Sequence, residues 1–188
     1  MSARLLLLAA LLALPWQDLD VAVQRASQAG RRPALEAPMH ALSADSRPVL
    51  LVGMGVALLS GGLARAAAVE ALVALVPVNL VVELTKRAVD RARPDGERRR
   101  SNAAFPSSHA ANAFALAWVL ARRWPRGWPA YFLLAAAIGW SRIYLNRHWA
   151  TDVLVGAALG VALAELALQA WRRWRHSSGA VEAGTRQA

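Results

Sequence analysis

Apolar residues in this chain are gathered into six segments, and arginine-rich or proline-containing breaks separate most of them. The segments are Leu5–Trp16, Val49–Leu63, Ala66–Leu84, Ala110–Leu120, Trp128–Tyr144 and Val153–Trp171. A membrane-spanning helix needs about 20 predominantly apolar residues, so this pattern is typical of a polytopic membrane protein. The pattern predicts an all-α helical bundle with about six transmembrane helices, formed by residues 1–188 as a single domain.

The two ends of the chain and its first long break differ from the spanning pattern. Leu5–Trp16 is short and follows Arg4, so we expect a retained helix, with the apolar region of a cleaved secretory signal as the alternative. Residues 17–47 mix charged side chains with recurring apolar ones, which predicts a helix lying in the membrane interface. Residues 172–188 are basic and predict a disordered tail.

Small residues occur in the last apolar segment, where Gly156 and Gly160 are four positions apart. Glycines at this spacing allow two helix backbones to approach closely. We interpret the pair as a helix-packing feature.

Composition supports the membrane interpretation, because 56% of the residues are hydrophobic and the mean hydropathy is +0.30. The formal net charge is +10, and Lys86 is the single lysine among 22 basic residues. Basic residues beside apolar spans attract anionic lipid headgroups. No basic run is interleaved with aromatic residues, which argues against a nucleic acid partner. Cysteine is absent, which excludes a disulfide framework and thiolate metal ligands. Nothing in the sequence indicates an oligomeric state.

Three polar clusters stand where an apolar segment meets a break. They are Lys86–Pro94, Pro106–His109 and Ser141–Asp152. If all six segments cross the membrane, the three clusters lie on the same membrane face. With both termini inside, the arginines of residues 122–126 and 172–175 are cytoplasmic and the clusters face outward. The equally basic residues 86–100 then lie outside, so charge counting does not decide the orientation.

Cations and a helix start in these clusters are suited to binding phosphate. Lys86 and Arg93 are seven residues apart, which on a helix is the same side, although Pro94 favours an extended Arg93. Arg142 adds a planar fork that can bind two phosphate oxygens. Ser107 and Ser108 precede an apolar helix, where a serine cap leaves backbone N–H groups available to an anion.

Two of the chain's four histidines fall in the clusters. Asp152 follows His148 by four residues, so on a helix its carboxylate lies beside the imidazole and accepts from Nδ1, which leaves Nε2 able to attack. His109 is in the first turn of the helix that the serines precede. We assign no role to His40 and His176.

Together the three clusters resemble the signature motifs of the type 2 phosphatidic acid phosphatase superfamily, which includes bacterial undecaprenyl-diphosphate phosphatases and vanadium haloperoxidases. The resemblance covers Leu84–Trp171, and all three motifs occur in order. The second motif usually reads Pro-Ser-Gly-His, and Ser108 stands here at the glycine. We expect this change to affect fine specificity more than activity.

The resemblance implies a role for each residue. His148 attacks phosphorus to form a phosphohistidine, Asp152 orients it, and His109 protonates the leaving oxygen and later activates water. The phosphate oxygens are held by the remaining motif residues, namely Lys86, Arg93, Ser107, Ser108 and Arg142. No metal ion or cofactor is implied.

The expected substrate is a membrane lipid phosphate, most simply undecaprenyl diphosphate. The arginines at 98–100 would engage its second phosphate, although headgroup attraction explains them equally well. The protein is then expected in the inner (cytoplasmic) membrane, with its site on the outer side. Phosphatidic acid and phosphatidylglycerol phosphate are alternative substrates.

Other classes of function fit the sequence less well. A vanadium haloperoxidase would use the same residues, but the comparable members are larger and soluble. A catalytically inactive, lipid-binding relative remains open because Ser108 departs from the motif. A transporter is disfavoured because paired broken helices are missing from the pattern.

Overall fold

The computed structural model describes residues 16–97 and 103–185, and the regular structure of this part of the chain is helical. These two stretches contain seven α-helices in the order α1 Trp16–Ala29, α2 Pro33–His40, α3 Ser46–Ser60, α4 Gly62–Ala88, α5 Ser108–Arg123, α6 Trp128–Tyr144 and α7 Ala150–Thr185. A π-helical turn, Ala41–Asp45, joins α2 to α3, and a 3-10 turn, Pro125–Gly127, joins α5 to α6. All but the last residue of the first predicted segment lies outside the described residues.

The core lies between α4, α5 and α7 and consists mainly of small side chains. Its buried members include Ala71, Ala74, Val78, Val82, Ala111, Ala115, Val119 and Ala164. A Cβ added at Gly156 would lie 2.5 Å from the Ser107 carbonyl oxygen, and one added at Gly160 would overlap the Ala111 carbonyl. The glycine pair therefore allows the close crossing of α5 and α7, which confirms its interpretation as a packing feature.

Large apolar side chains cover the outward faces of the bundle. Those with more than half of their surface exposed include Leu51, Val52, Leu59, Val76, Leu80, Leu133 and Leu166. A soluble monomer rarely exposes apolar residues so extensively. Small residues inside and large apolar residues outside fit a bundle surrounded by lipid.

Within the described residues, two helices are long and apolar enough to cross a membrane: α4 with 27 residues, and the first 29 residues of α7, Ala150–Ser178. Helices α5 and α6 have 16 and 17 residues. At a rise of 1.5 Å per residue they extend about 25 Å, which is less than a hydrocarbon core of about 30 Å. The all-α bundle is confirmed, whereas the count of six spanning helices stays a prediction.

The C-terminal region differs from the expected disordered tail, because α7 continues past Trp171 to Thr185. The Trp171 and Trp174 rings stack with centroids 5.0 Å apart, and Arg172 Nε donates to the Leu168 carbonyl at 3.2 Å. Proline, which would end the helix, does not occur in this stretch of sequence. The loss of apolar character near Trp171 therefore marks the end of the apolar surface and not the end of the helix.

The segment expected to form one interfacial helix is divided into α1 and α2, with Gly30 at the end of the first and Pro33 at the start of the second. The buried face of α1 is polar and consists of Asp20, Gln24 and Ser27. Its Gln24 Nε2 donates to the Ile143 carbonyl at 3.2 Å. This helix therefore docks its polar face on the end of the bundle.

Candidate active site

A cavity of about 780 Å³ opens at the end of the bundle where α4 and α6 finish and α5 and α7 begin. Five of the eight sequence-predicted site residues line it: Arg93, Ser108, His109, Arg142 and His148. The other three, Lys86, Ser107 and Asp152, are buried beside these residues. His40, which was assigned no role from the sequence, also lines the cavity. His176 is exposed on α7.

The backbone between α6 and α7 fixes His148 relative to Arg142. The Arg142 carbonyl accepts from the amides of Arg147 at 2.9 Å and His148 at 3.2 Å. Asn146 turns the chain here with a φ of 60°, a conformation that asparagine adopts more readily than most residues. The four-residue spacing had suggested that His148 and Asp152 share a helix. In the structure His148 precedes α7 and is not part of it. The first turn of α7 nevertheless brings Asp152 back to it.

His148 and Asp152 are almost completely buried, with 1% and 0% of their surface exposed. His148 Nδ1 lies 3.6 Å from Asp152 Oδ2. Burial lowers the pKa of His148 from 6.5 to about 4; Asp152 opposes this shift, while the nearby positive charges of Arg142 and Lys86 add to it. The imidazole is therefore neutral at physiological pH, which is the form that can act as a nucleophile.

The three predicted phosphate-binding cations reach the site from different backbone elements. Lys86 is in the last turn of α4, and its Nζ donates to the Ala103 carbonyl at 2.6 Å. Arg93 is beyond the end of that helix, so the two do not share a helix face as their spacing had suggested. Arg142 is in the last turn of α6, and its guanidinium donates to the Ser43 hydroxyl in the π-helical turn.

Ser107 is the N-cap of α5, and its hydroxyl accepts from the Ala110 amide at 3.5 Å. Its own amide donates to the Asp152 carbonyl at 3.0 Å, which joins the starts of α5 and α7. Ser108 and His109 are the first two residues of the helix and line the cavity. The positive end of the α5 dipole is thus directed toward the cavity, where it favours an anion.

Two residues that were assigned no role from the sequence lie beside the predicted site residues. Arg91 contacts Asp152, and Asp20 contacts Arg91. Arg91 Nη1 donates to Asp152 Oδ1 at 2.7 Å, and the same guanidinium pairs with Asp20. The sequence signal for Asp20 is a stripe of polar residues at positions 20, 24 and 27, which share one helix face. Arg91 lies inside the first cluster, but only Lys86 and Arg93 of that cluster were predicted to bind phosphate.

An apolar groove between α5 and α6 begins at the cavity. It has a volume of about 110 Å³, and His109 lines both the groove and the cavity. Leu116, Leu134 and Ile138 are among the apolar residues along it. His109 is thus shared by the walls of the polar cavity and of the apolar groove.

Within residues 16–97 and 103–185, no three His, Cys, Asp or Glu side chains are grouped as a metal site. The arginines at 98–100, for which a second-phosphate contact was considered, lie outside the described residues.

Comparison with known proteins matches the chain to one protein family and to bacterial phosphatases. The family model described as "PAP2 superfamily" matches residues 67–176. The chain is 41% identical over 90 residues to a lipid A 1-phosphatase of Porphyromonas gingivalis, covering 46% of this chain and 20% of that protein. It is 38% identical over 76 residues to the putative undecaprenyl-diphosphatase YbjG of Escherichia coli K12, covering 38% and 37%. The chain thus spans only a fifth to about a third of the length of these two relatives.

The fold also has a counterpart among solved structures. A crystal structure of a transmembrane PAP2 type phosphatidylglycerolphosphate phosphatase from Bacillus subtilis superposes with a TM-score of 0.67. The superposition covers 90% of this chain and 92% of that one, at 24% identity. The two chains share a fold.

Proposed function

The chain belongs to the PAP2 superfamily, and from this premise we propose that it is a membrane lipid phosphatase that works through a phosphohistidine at His148 without a metal ion. One observation carries the proposal. His148 is a buried neutral imidazole beside Asp152, and it lines a cavity together with Arg93, Arg142 and His109. A nucleophile, its orienting carboxylate, fixed cations and an acid are the groups that phosphoryl transfer requires.

In the first step, the lone pair of His148 Nε2 forms a bond to phosphorus while the bond to the lipid oxygen breaks. The electron pair leaves with that oxygen, which takes a proton from His109. Asp152 accepts from Nδ1 and stabilises the positive charge that the imidazole acquires. Arg142 and Arg93 bind the equatorial oxygens, where negative charge is spread in the transition state.

In the second step, His109 removes a proton from water as the water oxygen bonds to phosphorus. The nitrogen–phosphorus bond breaks, its electron pair returns to His148, and inorganic phosphate leaves. His109 is then protonated and ready for the next leaving group, so the cycle is balanced. Lys86 and the start of α5 supply positive charge in both steps.

A lipid substrate is supported by the surroundings of the cavity. Exposed leucines and valines cover the bundle, and the apolar groove lined by Leu116 and Leu134 starts at His109, the proposed acid. A phosphate ester whose leaving oxygen is at His109 would therefore have its apolar chain directed along α5 and α6.

Undecaprenyl diphosphate is the substrate we propose first. The sequence similarity to a putative undecaprenyl-diphosphatase supports it. Lipid A is a second candidate, supported by the similarity to a lipid A 1-phosphatase, and phosphatidylglycerol phosphate and phosphatidic acid follow. All four carry a phosphate on an apolar anchor, so the catalytic residues do not rank them.

The site is proposed to face the outer side of the cytoplasmic membrane. Val89 is 40% exposed next to the site, whereas Arg126 is exposed in the turn between α5 and α6 at the other end. The chain has no cysteine, so Val89→Cys and Arg126→Cys would each carry a single thiol. Outward orientation predicts that a membrane-impermeant maleimide labels only Val89→Cys in intact cells. Labelling of only Arg126→Cys would put the site inside.

The proposed function is tested by phosphate release from detergent-purified protein with EDTA present. The panel contains undecaprenyl diphosphate, lipid A, phosphatidylglycerol phosphate and phosphatidic acid. We expect release by the wild type and by His176→Ala, which changes an exposed histidine, and none by His148→Ala. No release from any lipid by folded wild type would favour the inactive lipid-binding alternative, for which Ser108 is the departure from the motif.

A further inference from the structure

Asp20 is buried against the catalytic end of the bundle although it belongs to α1, far from the motifs in sequence. Only 2% of its surface is exposed. Its Oδ1 accepts from the Thr151 amide at 2.8 Å, and its Oδ2 accepts from the Thr151 hydroxyl at 2.7 Å. Oδ2 also pairs with the Arg91 guanidinium. A carboxylate so completely removed from water requires such partners, and all of them lie next to the proposed nucleophile.

Arg91 is shared between two buried carboxylates. Its Nη2 pairs with Asp20, and its Nη1 donates to Asp152 Oδ1 at 2.7 Å. The same Nη1 is 2.7 Å from the Thr151 hydroxyl, and the guanidinium lies over the Trp149 ring at 5.7 Å. Five donors in a rigid plane allow arginine to bridge two carboxylates, which lysine does less well.

We propose that Asp20 and Arg91 are positioning residues that hold Asp152 in the orientation that His148 requires, an inference that rests on the proposed function. Asp152 Oδ1 is fixed by Arg91, while Oδ2 accepts from the Trp149 amide at 2.8 Å and faces His148 Nδ1. With both oxygens fixed, the carboxylate plane cannot rotate away from the imidazole. Partners of this kind orient the groups that do the chemistry.

The charges give Asp20 a second effect on the same reaction. Arg91 and Asp152 alone would form a neutral pair, which would offer little stabilisation to a positively charged imidazole. With Asp20 added, the three groups carry one net negative charge. In the weakly screened interior this charge favours the phosphohistidine over the neutral histidine. Asp20→Asn removes this charge while keeping an oxygen for the Thr151 amide.

The alternative is that Asp20 only anchors α1 to the bundle. Gln24 and Gln28 on the same helix already bond to the carbonyls of Ile143 and Tyr144, at 3.2 and 3.1 Å. An anchoring residue would change the melting temperature, and the specific activity of the folded protein would stay the same. A positioning residue changes kcat with little change in KM.

The test compares kcat, KM and melting temperature for Asp20→Asn and the matched control Asp18→Asn. Asp18 is on the same helix but exposed, so it undergoes the same charge change away from the site. We expect Asp20→Asn to lower kcat by about 10-fold to 100-fold with KM within about twofold, and Asp18→Asn to match the wild type. Wild-type kcat in Asp20→Asn would overturn the proposal.

Arg91 variants give an independent arm. Arg91→Lys keeps the charge and should retain more kcat than Arg91→Gln, because an ammonium can still reach one carboxylate. The double variant Asp20→Asn/Arg91→Gln should lose less kcat relative to Arg91→Gln than Asp20→Asn loses relative to the wild type, since the orienting effect of Asp20 acts through Arg91. Multiplied losses in the double variant would contradict action through Arg91.

Orthovanadate separates a failure of this inference from a failure of the proposed function. Vanadate forms a five-coordinate adduct on an imidazole, so its binding by calorimetry reports on His148 without any lipid. We expect binding by the wild type, none by His148→Ala and at least 10-fold weaker binding by Asp20→Asn. If no lipid is hydrolysed but this order holds, the positioning role stands and the proposed substrates do not. Wild type that neither hydrolyses lipids nor binds vanadate would overturn both.

Discussion

His148 Nδ1 lies 3.6 Å from Asp152 Oδ2, which is longer than a hydrogen bond, while both carboxylate oxygens are held by other donors at 2.7 and 2.8 Å. The orientation of the Asp152 carboxylate is therefore set by Arg91 and Trp149 and does not depend on a hydrogen bond to His148. Catalytic hydrogen bonds often shorten only when substrate is bound. Positive charge on His148 during attack would draw the two groups together.

Replacing Asp152 should impair turnover more than binding. In Asp152→Asn the amide can donate to Nδ1 and stabilise the wrong imidazole tautomer, so we expect kcat to fall by about 100-fold to 10,000-fold with a similar KM. The measurement is steady-state kinetics with Asp18→Asn as the control. Unchanged kcat would remove Asp152 from the reaction.

Acid should destabilise the folded protein through His148. Its pKa is lowered by burial to about 4, whereas the unfolded chain has the ordinary value of 6.5. Between these values the unfolded state binds a proton that the folded state does not, so the free energy of unfolding falls as the pH falls, by about 3 kcal/mol in total. Thermal melting from pH 7 to 4 should show a shallower decline for His148→Asn. Parallel curves for the two proteins would contradict the lowered pKa.

The close crossing of α5 and α7 should not tolerate a larger residue at Gly160. A Cβ there overlaps the Ala111 carbonyl, so Gly160→Ala should lower the free energy of unfolding by about 1 to 3 kcal/mol. The matched control is Gly55→Ala on α3, whose Cβ would meet nothing within 4 Å. That change should be neutral or stabilising, because alanine favours a helix. Equal melting temperatures for both variants would disprove the tight crossing.

Chelation should leave activity unchanged. Lys86, Arg93 and Arg142 supply fixed positive charge where phosphate would bind, so the reaction does not depend on a divalent cation. Millimolar EDTA followed by dialysis should not alter phosphate release, and added Mg²⁺ or Zn²⁺ should not raise it. A loss that a metal restores would show that the cations are insufficient.

Much of the bundle and of its polar end could be predicted because each motif lies where an apolar segment meets a break. Apolar runs marked the helices to within a few residues, and Trp128–Tyr144 agrees at both ends. The end of α7 could not be read in this way, because hydropathy reports surroundings while helicity persists in polar residues. Hydropathy likewise does not determine the number of spanning helices, because α5 and α6 are apolar but only 16 and 17 residues long.

The contact between Asp20 and Arg91 could not be predicted, for a different reason. The two residues are 71 positions apart, and an interfacial helix is expected to bury its apolar face. Docking of the polar face of α1 depends on the three-dimensional arrangement of Thr151 and Asp152, which no local pattern encodes. Residues within the motifs were easier to find because their spacing limits where they can lie.

The phosphohistidine mechanism is tested most directly by trapping the covalent intermediate. Wild type, His148→Ala and the control His176→Ala would be mixed with a lipid substrate carrying ³²P in its terminal phosphate and quenched in alkaline detergent within one turnover. We predict label on His148 that survives alkali and is lost in acid, present in wild type and His176→Ala and absent from His148→Ala. Label on another residue, or turnover by His148→Ala near the wild-type rate, would contradict the phosphohistidine mechanism.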